Sequence, residues 1–291
     1  MFDVYVPSSF DDALKFLSRE GHKTTIISHG TDLLPRIRAG ELRPEVLLDL
    51  SGFDDLLRYI REDGECIRIG ALTTVTDIYE SPALNGPLEA FKHAAKKFGG
   101  PQIRNMATIG GNVGAASSSE DFIPILLALN AKAKLTSVYG DRILSIERLI
   151  LDKRVIARRS NEIITEIFFK KPPENAWTAF DKIGRRNAMF IALVNMAVYL
   201  HVENGRIKDV RIALNRVKRK IPERAYETEK FLKGKIFTNE VLEGAKEVLE
   251  RELKLTSDFR ASAEYRVEVQ KALLKRLLTY CYNKIRRVKV E

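Results

Sequence analysis

Apolar residues along the chain recur with two different spacings. Between Phe10 and Gly21 they fall at Phe10, Ala13, Leu14 and Leu17, with Asp11 and Asp12 in the first turn and glycine at the end, the pattern of an amphipathic helix. Helices are expected in the same way over Thr74–Tyr79, Leu88–Phe98, Asn239–Leu253 and Ser262–Tyr282, with a short apolar one over Pro124–Ala128. Elsewhere short apolar or alternating runs bounded by turn residues predict strands at Thr24–Ile27, Glu45–Leu50, Lys132–Ser137, Glu162–Phe169, Trp177–Ile183, Ile191–Val202 and Val210–Leu214. Leu57–Ile60 and Cys66–Ile69 flank Glu62-Asp63-Gly64-Glu65 as a hairpin, and Glu203-Asn204-Gly205 marks a turn between two later strands. Pro172-Pro173 stops the strand before it and marks a domain boundary. The expected organisation is α+β: subdomains of about 1–52 and 53–173, then 174–291 as a small antiparallel sheet with a helical tail.

Two stretches fit neither spacing. Thr108-Ile109-Gly110-Gly111-Asn112 is followed by Val113-Gly114-Ala115-Ala116-Ser117-Ser118-Ser119, with almost no bulk to fill a core. Glycines at 110, 111 and 114 permit close backbone approach, and a loop of bare N–H groups suits phosphate oxygens; a plain Gly/Ser surface loop has the same composition. Ile26-Ile27 run directly into Ser28-His29-Gly30-Thr31-Asp32-Leu33-Leu34, which reads as strand, polar turn and helix start. The start of a helix stabilises an anionic group, so the two stretches could clasp one diphosphate.

On these residues the chain resembles the FAD-binding medium subunits of molybdenum hydroxylases of the carbon monoxide dehydrogenase and xanthine dehydrogenase type. Thr108 to Asn112 match the second flavin motif of that family in full, and Gly30, Thr31, Asp32 and Leu33 match the first. Ser28 and His29 depart from it where the family often has Ala and Gly, so either His29 adopts a conformation that glycine finds easy or the loop differs. The resemblance covers essentially the whole chain, including Asp258-Phe259-Arg260 and Tyr265-Arg266. It implies a two-subdomain FAD-binding fold of the vanillyl-alcohol-oxidase/PCMH type, followed by a C-terminal domain of the carbon monoxide dehydrogenase flavoprotein type. It assigns Ile26, Ile27, Ser28, His29, Gly30, Thr31, Asp32 and Leu33, with Arg104, Thr108, Ile109, Gly110, Gly111 and Asn112, to FAD. Asp121 falls where the family has an acid holding polar atoms of the cofactor; its other reading is an N-cap for the helix near Pro124. Phe98, Ile164 and Lys182 fall at further family contacts, as ring stack, packing surface and positive charge. An ordinary core position is as good a reading of Phe98, and a solvated surface lysine of Lys182. Arg185-Arg186-Asn187-Ala188-Met189 lies where some members carry an acidic residue, and this chain has none there.

Composition narrows the classes. The chain has 291 residues, 45% hydrophobic and 30% charged, enough for a sizeable core and two or three domains. Its net charge of +10 raises nucleic-acid binding, but the clusters Arg142, Arg148, Lys153-Arg154, Arg158-Arg159, Arg216–Lys220 and Arg286-Arg287-Lys289 are scattered and lack aromatic interleaving. Cys66 and Cys281 are the two cysteines, so no self-contained iron–sulfur cluster or disulfide framework is expected; four histidines without paired spacing predict no metal site. No apolar run reaches membrane-spanning length, and the expected location is the cytoplasm. No G-x-G-x-x-G or G-x-x-x-x-G-K motif is present.

The resulting expectation is an electron-transfer subunit with no catalytic side chain of its own. Molybdopterin and [2Fe–2S] groups would lie in a large and a small partner subunit, within a dimer of heterotrimers, and NAD or another acceptor would take the electrons. A stand-alone FAD oxidase and a basic anion- or nucleic-acid-binding module are the alternatives. Candidate partner surfaces are the C-terminal helices and Arg216–Lys220.

Overall fold

The computed structural model describes residues 2–215 and 221–288; the basic stretch 216–220 lies outside the described residues. The chain opens with β1 (Asp3–Tyr5), α1 (Phe10–Glu20), β2 (Thr24–Ile27), α2 (Leu33–Arg38) and β3 (Val46–Asp49). β1 and β2 flank β3 in a parallel sheet. The Ser9 side chain caps α1 by accepting from Asp12 N at 3.1 Å, and Ala13, Leu14 and Leu17 pack with Leu48 and Leu50. α2 buries none of its residues, although it carries Leu33, Leu34 and Ile37.

The next segment contains α3 (Asp54–Leu57), β4 (Ile60–Asp63), β5 (Cys66–Gly70), α4 (Val75–Glu80), α5 (Ala90–Lys97), α6 (Pro101–Arg104), α7 (Ile109–Ala115) and α8 (Phe122–Ala128). β6 (Lys132–Ser137), β7 (Gly140–Ser145), α9 (Ile146–Leu149), β8 (Ile150–Asp152), β9 (Val155–Ile156) and β10 (Ile163–Lys170) follow. A sheet of order β4-β5-β10-β6-β7 forms, and β10 is antiparallel to both neighbours. A register shift between Ile164 and Glu166 lets Ile163 join the α1 cluster while Ile164 and Ile167 join the larger core. The hairpin expected from Leu57 is displaced: Asp54–Leu57 is helical, and β4 pairs with β5 across Asp63 and Cys66.

The last part comprises β11 (Ala176–Ile183), β12 (Val194–Glu203), β13 (Arg206–Asn215), β14 (Pro222–Arg224), α10 (Tyr226–Leu232), α11 (Asn239–Glu252) and α12 (Ala263–Val288). The four strands form one antiparallel sheet in sequence order. Asn204 and Gly205 have φ of 49° and 74°, the left-handed pair of a tight hairpin. β12 starts at Val194 rather than Ile191, because Arg185–Met189 and Ile191 form an exposed loop.

Both faces of this sheet are covered. Val194, Met196, Val198 and Leu200 of β12 face α12, in one cluster with its Leu274 and Leu278 and with Leu242, Ala245 and Leu249 of α11, which packs on α12. Ala197 and Tyr199 of the same strand point the other way, into the core that holds Phe91, Phe122 and Ile125. α5 packs on β11 and α8 on β12 and β13, so the C-terminal sheet forms a wall of the site described next. No helix among the described residues is long and apolar enough to cross a membrane.

Candidate functional site

The first stretch leaves β2 at Ser28. Gly30 has φ of 73°, and a Cβ there would meet Leu34 Cγ at 2.6 Å, so glycine is required by conformation and by space. His29 does not share the left-handed conformation, which settles how the loop accommodates it. The Gly30 carbonyl accepts from Leu34 N at 2.9 Å to start α2. Asp32 occupies the N-cap position without capping; its carboxylate accepts from Arg154 Nη1 and Nη2 at 2.7 and 2.9 Å. Arg154 Nη1 also reaches the Ala115 carbonyl at 3.2 Å, tying the first stretch to the end of α7.

The second stretch is the start of a helix rather than a loop. Thr108 is its N-cap, with Oγ1 accepting from Gly111 N at 3.1 Å. Ile109 N donates to Thr73 O at 3.0 Å and Gly110 N to Ala71 O at 2.9 Å. The bare amides expected of this stretch are therefore already engaged. What it offers instead is side-chain chemistry and open space. Ser28 Oγ lies 3.4 Å from Thr108 Oγ1, which brings the two motifs together, and a Cβ at Gly114 would meet nothing within 4 Å.

Behind this junction lies a cluster of polar groups. Asp121 and Lys182 are 4% and 3% exposed, and Lys182 Nζ donates to Asp121 Oδ2. Lys182 is thus a buried ion-pair partner and not a solvated surface lysine, and the Asp121 side chain makes no helix-cap bond. Burial pushes the Asp121 carboxyl up to about 6 in spite of Lys182. Asn112 Nδ2 donates to Glu120 Oε2, and Asn195 Nδ2 from β12 donates to the Glu120 carbonyl at 2.9 Å. Burial, Asp121 and Asp32 push the Glu120 carboxyl up to about 8.

The remaining expected residues stand further out. Phe98, directly after α5, is partly buried, with its ring centroid 5.8 Å from that of Phe122. Arg104 Nη1 reaches the Phe98 and Gly99 carbonyls at 3.5 Å. Ile164 is buried in β10, against which α7 packs. Ile26 and Ile27 in β2, Thr31 in the loop and Leu33 at the start of α2 are half-buried. Glu120, Arg154 and Asn195 join the site without a place among the sequence expectations. Glu120 adjoins Asp121 in sequence and could have been suspected; Arg154 and Asn195 reach the site through tertiary packing and carry no local signal.

The FAD implied by the sequence can be tested against these groups. Buried atoms without a hydrogen-bond partner include His29 Nδ1, Asn112 Oδ1, Asp121 Oδ1 and Asn195 Oδ1. Three are acceptors that call for donors, which a polyhydroxyl chain and a flavin ring N–H supply. No N–H from His29 to Asp32 is spent on a backbone carbonyl, leaving that turn suited to the diphosphate. The residues present fit the cofactor.

Comparison with known proteins agrees. Residues 1–172 match the family model described as the FAD binding domain in molybdopterin dehydrogenase, and residues 178–281 match the CO dehydrogenase flavoprotein C-terminal domain. The nicotine 6-hydroxylase medium subunit of Paenarthrobacter nicotinovorans is 32% identical over 94% of each chain. The glyceraldehyde dehydrogenase medium chain of Sulfolobus acidocaldarius is 32% identical over 94% of this chain and 95% of its own. Among solved structures, carbon monoxide dehydrogenase from Hydrogenophaga pseudoflava aligns with a TM-score of 0.91 at 28% identity, over 97% of this chain and 98% of that one. With two glycine motifs joined at Ser28 and Thr108 and both family models matched, the chain belongs to the FAD-binding medium subunits of the molybdenum hydroxylases, oxidoreductase components that work with partner subunits.

Proposed function

We propose that the chain passes electrons from a partner's iron–sulfur clusters to NAD or another acceptor, with a molybdopterin-binding subunit oxidising the substrate. In this reading residues 1–173 hold FAD, 174–291 close the site from the far side, and the assembly is a dimer of heterotrimers in the cytoplasm. The observation that carries it is the group of buried, unpartnered acceptors, Asn112 Oδ1, Asp121 Oδ1 and Asn195 Oδ1, beside the two glycine motifs. The chemistry FAD supplies when bound is one- and two-electron storage.

The protein's residues would bind and orient it. The 28–32 turn and the Ser28 and Thr108 hydroxyls would hold the diphosphate, while Asn112 and Asp121 would accept from hydroxyls of the nucleotide. Lys182 holds Asp121 in place and brings a positive charge. Phe98 and Ile164 would border the ring, and Arg104 steadies the turn beside Phe98.

The test is to purify the chain alone and with its co-expressed neighbours. Alone it should show a flavin absorption spectrum and oxidise NADH slowly, yet hydroxylate no organic substrate. Together they should run as one larger complex containing molybdenum and iron. A chain that alone turns over an organic substrate with oxygen at an enzyme-like rate would sink the electron-transfer reading.

A further inference from the structure

We propose that Glu120 is a positioning residue for the cofactor, acting through Asn112: it takes the Asn112 Nδ2 donor and so leaves Oδ1 as the atom that side chain offers. The inference rests on the FAD reading above. A side-chain amide carries an acceptor at one end and donors at the other, and only a fixed partner decides which end faces a ligand. Asn112 is 6% exposed, its Nδ2 is bound to Glu120, and its Oδ1 has no partner. The neighbouring Asp121 Oδ1 is unpartnered as well, so the pocket presents two acceptors there and selects hydroxyl or imide donors.

Glu120 is itself held from several sides. Its carbonyl accepts from Asn195 Nδ2, and its N–H donates to Ser117 O at 3.4 Å. The charged groups facing its carboxyl are Asp121 before α8, Asp32 before α2 and Arg154 after β8. Arg154 is engaged by Asp32, and Lys182 on β11 by Asp121. Burial and the two carboxylates push the Glu120 carboxyl up to about 8, which favours its protonated form at neutral pH, where it holds Asn112 with little added charge. Above that pH a further carboxylate would stand beside a site that takes an anionic diphosphate.

The experiment is a FAD titration of flavin-stripped protein, followed by fluorescence quenching from about pH 6.5 to about pH 9.5. Wild-type Kd should rise about tenfold as pH passes through about 8, the change expected if bound FAD raises the Glu120 carboxyl by about one further unit. Glu120→Gln can still accept from Asn112 and never ionises; it should bind like wild type at neutral pH and stay flat above it. Glu120→Ala should bind weakly at every pH, with melting curves confirming that it folds. If wild type binds FAD with a flat profile and both variants match it, the inference is wrong while the FAD reading stands. If wild type binds no FAD at any pH, that reading fails and this one with it.

Discussion

The Asp121–Lys182 pair shows how much one buried contact can hold. Two charges in so enclosed a place are tolerated because each answers the other, and removing one partner of a buried pair typically costs about 3–5 kcal/mol. Asp121→Ala and Lys182→Met should each lower the denaturant midpoint of flavin-stripped protein by a corresponding amount. The double variant should lose much less than the sum, since no uncompensated charge remains. Additive losses would show that the pair is not coupled. Glu120 gives a pH signature with a defined sign. Its carboxyl lies near 4.5 in the unfolded chain and about 8 in the folded one, so the folded state binds the extra proton between those values. Stability from this group is therefore present below about 4.5 and lost as pH rises to about 8. Glu120→Gln should melt with wild type in acid and above it near pH 8; a parallel pair of curves would refute the assignment.

At the scale of the element, α7 explains why glycine recurs in the second motif. Three glycines in a helix of seven residues are costly by propensity, at about 1 kcal/mol each relative to alanine. Each is there for a different reason. A Cβ at Gly110 would stand 2.6 Å from the Ala71 carbonyl oxygen, which is backbone and cannot step aside; one at Gly111 would meet Thr108 Oγ1 at 2.9 Å and Ser28 Oγ at 3.8 Å; one at Gly114 would enter open space. Gly110→Ala should therefore destabilise the flavin-free protein by about 1–3 kcal/mol. Gly111→Val should leave the purified protein largely free of flavin. Gly114→Ala should raise the melting temperature of the flavin-free protein, by up to about 1 kcal/mol in stability. Melting curves and flavin-to-protein ratios distinguish the three; identical behaviour would mean that the cleft is not where the helix faces. The periodic helices α1 and α11 and the hairpin at Asn204-Gly205 are legible in the sequence because their signals are local. β7 is not: its start, exposed Gly140 and Asp141 followed by half-buried Arg142, carries little apolar alternation. The helical nature of Thr108–Asn112 is hidden because glycine disguises a helix whose amides are held by Thr73 O and Ala71 O, contacts between segments well separated along the chain.

At the scale of the whole molecule, Pro172-Pro173 divides the sequence without dividing the packing. Phe180 of β11, Ala197 and Tyr199 of β12 and Ala213 of β13 lie in the same core as Phe91, Phe122 and Ile125. Polar contacts cross the same line: Glu89 accepts from Trp177 Nε1 at 3.1 Å and from Tyr280 OH at 2.7 Å, and Asp121 depends on Lys182 from β11. Cutting after residue 173 would expose the apolar face of α8 and leave Asp121 buried without its cation. Burying an aromatic side chain such as Phe180 contributes about 1.5–3 kcal/mol, and several are lost together. A chain ending at 173 should therefore lack a cooperative thermal transition and bind no FAD, although it contains both glycine motifs. Adding residues 174–291 in trans should restore both only if the two pieces can rebuild the shared core. Should residues 1–173 alone melt cooperatively and take up FAD with wild-type affinity, the C-terminal sheet would be an appended module rather than a wall of the site.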